Sequence, residues 1–220
     1  MDDRRDAIRQ CDLIFPGFES QNRLSAQWIC LLSRRMQVIV KMHGKTVEEY
    51  VEQMAHRSVR APEACPRCGR LHVLTHLDYY QRGCTDSRGK VLEINIKRFE
   101  CTHCGLTVSS LPDFAQPYRL INNHTTQKFF NGDTVSEDVQ RNYINLRRYW
   151  RQFLKWAGRL KTIIGVTLGR APPKEPAAGL WRRILAGHHS LARATLMLVQ
   201  DFRVTCFGQY RCHQPALQAT

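Results

Sequence analysis

The 220-residue sequence contains no apolar run close to the roughly 18 residues that a membrane-spanning helix needs. Its N-terminal residues include acidic side chains, and no apolar segment of the kind found in signal peptides follows them. We therefore expect a cytoplasmic protein that has no membrane partner.

Acidic residues are also scarce. The chain has 19 Asp and Glu against 33 Lys and Arg, which gives a formal net charge of +14. From Val139 to Lys174 there is no acidic residue at all. Such a surplus favours a polyanion as the partner, although ribosomal and membrane-surface proteins are basic too. The position of the basic residues therefore matters more than their number.

Nine cysteines are present, and four of them form two Cys-x-x-Cys-Gly motifs, "CPRCG" and "CTHCG". Each motif offers two thiolates from one tight turn, and two such turns supply the four ligands of a tetrahedral zinc ion. The spacing predicts a closed, structural zinc site; a redox pair and an iron–sulfur cluster are the alternatives. The predicted ligands are Cys65, Cys68, Cys101 and Cys104. The other five show no ligand spacing and are predicted to be buried or incidental thiols: Cys11, Cys30, Cys84, Cys206 and Cys212.

A β-hairpin is predicted between the two motifs. Residues 70–83 are rich in strand formers, 85–89 have turn composition, and 90–99 alternate between apolar and polar. The hairpin brings its two ends together, so the 32 residues between Cys68 and Cys101 are compatible with one site. A strand over 36–44 and a helix over 45–57 are predicted upstream, and Thr46 with Glu49 forms a capping box.

The C-terminal half is predicted to be helical. A short helix is expected over 120–130, and a long helix from Thr134, where Thr134 and Glu137 form a second capping box. Its apolar residues follow a heptad pattern: Val139, Tyr143, Leu146, Trp150, Phe153, Ala157, Leu160 and Ile164. Residues 165–179 have linker composition, and a single last helix is predicted over 180–204, with its apolar side formed by Leu180, Ile184, Leu191, Leu198 and Phe202.

These patterns predict an α+β fold, in which a small zinc-ribbon hairpin domain follows a strand–helix unit and precedes a helical region. The predicted segments are a poorly patterned extension (1–35), the strand–helix unit with the ribbon (36–119), a helix–turn–long helix (120–164), a linker (165–179), and a C-terminal helix with a frayed tail (180–220).

The run from Val38 to Arg119 includes "TVEEYVEQ", "CPRCG", "DYYQRG" and "INIKRFECTHCGLTVSSLPDFAQPYR". It resembles an uncharacterised bacterial zinc-ribbon family found near mobile elements, whose ribbon is similar to the N-terminal ribbons of several insertion-sequence transposases. The resemblance implies a zinc ribbon with a DNA-binding role. In those transposases a helix-turn-helix and a catalytic domain with three acidic metal ligands follow the ribbon.

This chain departs from the transposase pattern after the ribbon. Two-metal nucleases hold their carboxylates on adjoining strands of a sheet, whereas the acidic residues here fall among predicted helices and a linker. The sequence therefore predicts no catalytic residues, and an enzymatic role is in doubt. A helix-turn-helix is only weakly indicated, because the second helix is about twice the usual length.

The functional prediction is a zinc-ribbon DNA-binding protein associated with a mobile element. The alternatives are a zinc-stabilised interaction module, whose heptad stripe pairs with itself or with a partner protein, and a divergent or truncated transposase. The predicted nucleic-acid contacts lie on the ribbon and on the acid-free helix: Arg67, Arg70, Lys97, Arg98, Arg119, Arg141, Arg147, Arg148, Arg151, Lys155 and Arg159.

Overall fold

The computed structural model describes residues 35–42, 44–167 and 175–210. Its first half contains strand β1 (Arg35–Val40), helix α1 (Val47–Glu52), a 3-10 helix (Ala55–Ser58), and strands β2 (Leu74–Thr85), β3 (Val91–Cys101) and β4 (Thr107–Pro112). Its second half contains helices α2 (Asn123–Phe130), α3 (Glu137–Thr167), α4 (Ala177–His188) and α5 (Leu191–Phe202), and short strands β5 (Val204–Thr205) and β6 (Gly208–Gln209). The predicted α+β class is confirmed. Within the described ranges, no helix is both long and apolar enough to cross a membrane.

A four-stranded sheet carries the first half, in the order β1-β4-β3-β2. Strands β2 and β3 form the predicted antiparallel hairpin, with a register shift between His76 and Asp78. Strand β4 pairs with β3 antiparallel and with β1 in parallel, from Arg35 opposite Thr107 onward. The parallel pair joins segments far apart in the chain, and the sequence patterns did not predict it.

Helix α1 begins with the predicted capping box. The Thr46 hydroxyl accepts from the Glu49 N–H, and the Glu49 carboxylate accepts from the Thr46 N–H. The predicted helix over 45–57 is too long, however, because the chain turns out of the helix at Met54, which has a left-handed φ of 47°. Val47 and Tyr50 are buried, whereas Met54, beyond the end of the helix, is 47% exposed.

Helix α3 begins three residues later than predicted. The predicted capping box of Thr134 and Glu137 is not formed. Instead, the Asp133 carboxylate accepts hydrogen bonds from the N–H groups of Val135 and Ser136, just before the helix. The heptad stripe packs against α4 and α5 in one core, and five of its eight residues are buried there: Val139, Leu146, Phe153, Ala157 and Leu160. Trp150 and Ile164 are partly buried, and Tyr143 is 40% exposed.

The prediction of one helix over 180–204 is wrong, because the chain breaks into α4 and α5. His189 takes a left-handed φ of 62°, and the Ser190 hydroxyl accepts from the Arg193 N–H at the start of α5. Both helices then turn apolar residues toward α3. Part of the predicted frayed tail is ordered, since β6 and buried Tyr210 belong to it. Residues 1–34, 168–174 and 211–220 lie outside the described residues.

The tip of the β2–β3 hairpin joins the sheet to the helical region. The Gly89 carbonyl accepts from Asn142 Nδ2 of α3 at 2.9 Å, and Asn122, which caps α2, donates to the carbonyl of Thr85 at 2.8 Å. The close approach requires a glycine, because an added Cβ at Gly89 would lie 2.8 Å from the backbone of Asp138. The hairpin therefore fixes the position where α3 begins.

Candidate metal centre and basic helix face

The four predicted cysteine ligands come together at the end of the sheet opposite the hairpin tip. Cys65 and Cys68 precede β2, Cys101 ends β3, and Cys104 lies in the turn before β4. Their sulfur atoms all lie within 4.8 Å of one another, with Cys65 and Cys104 separated by 3.7 Å and Cys68 and Cys101 by 3.8 Å. A tetrahedral ion with metal–sulfur bonds of about 2.3 Å spaces its sulfur ligands by about 3.8 Å. The cluster can therefore hold a metal ion.

Both cysteine turns have the same backbone geometry. The N–H of Cys65 donates to the Arg70 carbonyl, and the N–H of Cys101 donates to the Leu106 carbonyl, each at 2.9 Å. Gly69 and Gly105 donate back to the carbonyls of Cys65 and Cys101, also at 2.9 Å. These glycines have left-handed φ values of +69° and +65°, and an added Cβ at either would meet no atom within 4 Å. Glycine is therefore favoured by the backbone conformation and not by lack of space for a side chain.

Burial and backbone hydrogen bonds shift the pKa values of the clustered thiols in different directions. Burial raises the pKa of Cys65, and it raises the pKa of Cys104 to about 12. Burial acts in the same direction on Cys101, but hydrogen bonds from the backbone of Cys104 and His103 lower the pKa of Cys101 to about 7. Cys101 is thus the most readily ionised of the three thiols, and a bound cation would favour deprotonation of all four cysteines.

The remaining described cysteines lie apart from this cluster. Cys84 and Cys206 are buried in separate apolar cores, and burial raises the pKa of each to about 12. In the part of the chain that the structure describes, the four cysteines are the only group of three or more His, Cys, Asp or Glu placed to share a metal ion. Cys11, Cys30 and Cys212 lie outside it.

The predicted basic residues of α3 all point to solvent: Arg141, Arg147, Arg148, Arg151, Lys155 and Arg159. Arg141 is paired with Glu137 at 2.6 Å, and Arg147 and Arg159 lie over the rings of Tyr143 and Trp156. Among the described residues, no ion-pair partner is present for Arg148, Arg151 or Lys155. We call these six residues the basic face.

The basic face runs along the side of α3 opposite the core. At 100° per residue, Arg141, Arg148 and Lys155 fall within about 40° of one another, and Arg159 shares the direction of Arg141. At 1.5 Å per residue, the row from Arg141 to Arg159 is about 27 Å long. Its length and direction are fixed because the apolar side of the same helix is packed in the core.

On the ribbon, three of the predicted cations are engaged within the chain. Lys97 Nζ donates to the carbonyls of Arg57 and Val59 at 3.0 and 2.9 Å. Arg98 forms a two-point ion pair with Asp78, and Arg119 lies over the rings of Tyr149 and Phe207. Arg67 and Arg70, at the first cysteine turn, are exposed.

The fold and the site define a four-cysteine ribbon protein with a helical C-terminal region. Residues 65–149 match the model of a family described as "Domain of unknown function (DUF6431)". The match begins at the first cysteine ligand and ends within α3, so it includes all four cysteines and the N-terminal part of the basic face. No curated protein and no solved structure is significantly similar to the chain.

Proposed function

We propose that the chain is a zinc-ribbon protein that binds DNA through the basic face of α3. The observation that carries the proposal is the basic face itself, because it is a fixed row of solvent-facing cations in a stretch without acidic residues. The resemblance of the ribbon to those of insertion-sequence transposases supports a role in a mobile element.

Zinc is the proposed metal because all four ligands are thiolates and their spacing suits tetrahedral bonds of the length that zinc forms with sulfur. Four protein ligands leave no open position, so the ion has a structural role. A site of this kind contributes on the order of 10 kcal/mol to folding near neutral pH. The ion would hold the start of β2 and the end of β3 together. It would thereby stabilise the hairpin, whose tip contacts α3.

DNA contact would account for the unbalanced positive charge of the basic face. Like charges one turn apart oppose helix formation, and helix surfaces normally mix the two signs. Arg148, Arg151 and Lys155 lack any such compensation among the described residues. Phosphate oxygens would supply the missing negative charge, and release of counterions from DNA would drive the binding.

The two alternative functions have less support. A partner helix would need a free heptad stripe, but α4 and α5 of the same chain already cover it. Metal-dependent nuclease chemistry needs several carboxylates at one point. Three of the described acids after the ribbon serve separate structural contacts: Asp113 accepts from the Met42 N–H, Asp133 accepts from the Val135 N–H before α3, and Asp138 binds Thr125 and Lys128.

A salt titration of DNA binding tests the proposal. The variant R148Q/R151Q/K155Q should bind random-sequence duplex more weakly, and its plot of log affinity against log salt should be less steep by about 2.7, at about 0.9 per lost phosphate contact. The matched control K41Q/R57Q/R60Q removes the same charge from exposed positions outside α3 and should keep the wild-type slope. A wild-type slope in the α3 variant would rule out the basic face as the contact surface.

A further inference from the structure

The basic face has an exposed apolar residue near its N-terminal end. Ile144 is 69% exposed, and among the described large apolar side chains only Val135, at 79%, is more exposed. It follows Arg141 by three residues and precedes Arg148 by four, so all three lie on neighbouring turns of one side of α3. Single exposed apolar residues are common, but this one lies within a row of cations.

The helical geometry places Ile144 between two flanks of positive charge. Viewed down the axis, the N-terminal cations span about 120°, from Arg147 on one side to Arg141 on the other, and Ile144 falls at the middle of this arc. The two flanking guanidinium groups turn back toward the helix N-terminus, Arg141 to Glu137 and Arg147 to Tyr143. The isoleucine is thus left uncovered at the outermost line of the helix surface, on the side opposite the core, which we call the crown of the helix.

An α-helix that lies in the major groove of DNA presents its crown to the base edges and its flanks to the phosphates of the two strands. The groove is about 12 Å wide, which matches the diameter of a helix with its side chains. Arginines on both flanks of α3 suit this placement. The crown residue then decides which base edge is favoured, and an aliphatic crown cannot accept or donate a hydrogen bond.

We infer that Ile144 contacts base edges in the major groove and selects for the 5-methyl group of thymine. This methyl is the apolar group that a base pair presents there, whereas the other edge positions offer hydrogen-bond donors and acceptors. The inference rests on the proposed DNA binding and adds a base preference to it. Burial of one methyl group against isoleucine should raise affinity by about fourfold.

Replacement of thymidine by deoxyuridine tests the inference, because it removes the methyl and keeps the base pairing. The probes are two duplexes of the same A·T-rich sequence, one with thymine and one with uracil. Wild-type protein should bind the thymine duplex about fourfold more tightly, and Ile144→Ala should bind both with the affinity that wild type has for the uracil duplex. The control Leu154→Ala changes a residue that is 45% exposed but lies off the arc, and it should keep the preference.

The possible results distinguish failure of DNA binding from failure of the thymine contact. Absence of wild-type binding to either duplex would refute the proposed function itself. Equal wild-type affinities for the two duplexes would leave DNA binding in place and overturn the assignment of Ile144. A preference that survives in Ile144→Ala would also overturn it, because the methyl contact would then lie elsewhere.

Discussion

Replacement of Gly89 by alanine should loosen the joint between the ribbon and α3. Gly89 has a φ of +77°, which costs alanine about 1 kcal/mol. The new Cβ would also lie 2.8 Å from both the Cα and the carbonyl oxygen of Asp138. Because these are backbone atoms of a packed helix, the overlap should cost a further 1–2 kcal/mol or so. The shift would break the Asn142–Gly89 hydrogen bond, at about 1 kcal/mol.

Gly132→Ala provides the matched control for this change. Gly132 has a φ of +97°, but an added Cβ there meets no atom within 4 Å. Urea unfolding of the metal-loaded variants should therefore show a loss of about 3–4 kcal/mol for Gly89→Ala and about 1 kcal/mol for Gly132→Ala. Equal losses would refute the argument that the hairpin tip is packed tightly on α3.

Three further changes test the site and the core. Cys68→Ser should release the metal ion and unfold the ribbon, whereas Cys84→Ala, at a buried thiol outside the cluster, should retain the ion in metal analysis; retention by both would contradict the assignment. Phe153→Ala should cost about 3–5 kcal/mol in urea unfolding because the ring is fully buried, and exposed Leu154→Ala less than about 1 kcal/mol. Asp138→Asn should cost about 1–3 kcal/mol, since this buried carboxylate binds Thr125 and Lys128; unchanged stability would show that the pairing is unimportant.

The features that were predicted from the sequence depend on neighbouring residues. Each Cys-x-x-Cys-Gly turn is complete within a few residues, and the alternation from Leu92 to Ile96 determines which side of β3 is buried. A hairpin between two such turns then brings the four thiols together without further information. For the same reason the Thr46–Glu49 capping box was predictable, and it is present.

The features that were missed depend on partners distant in sequence or on short signals. The parallel β1–β4 pair joins residues about 70 positions apart, and periodicity carries no information on such pairings. The break between α4 and α5 was signalled only by "GHHS", where Ser190 can cap a new helix. Lys97 and Arg98 were predicted to contact nucleic acid because they are basic residues on the ribbon. Their partners within the chain, such as Asp78 for Arg98, come close only when the chain folds.

The most direct measurement of the central claim is the salt dependence of binding between the metal-loaded wild-type chain and random-sequence duplex DNA. If five of the cations on the basic face each neutralise one phosphate, log affinity should fall with log salt at a slope of about −4.5. Clear binding at about 50 mM salt with this slope is the result that the account predicts. Absence of binding at that salt concentration, or a slope near zero, would contradict it.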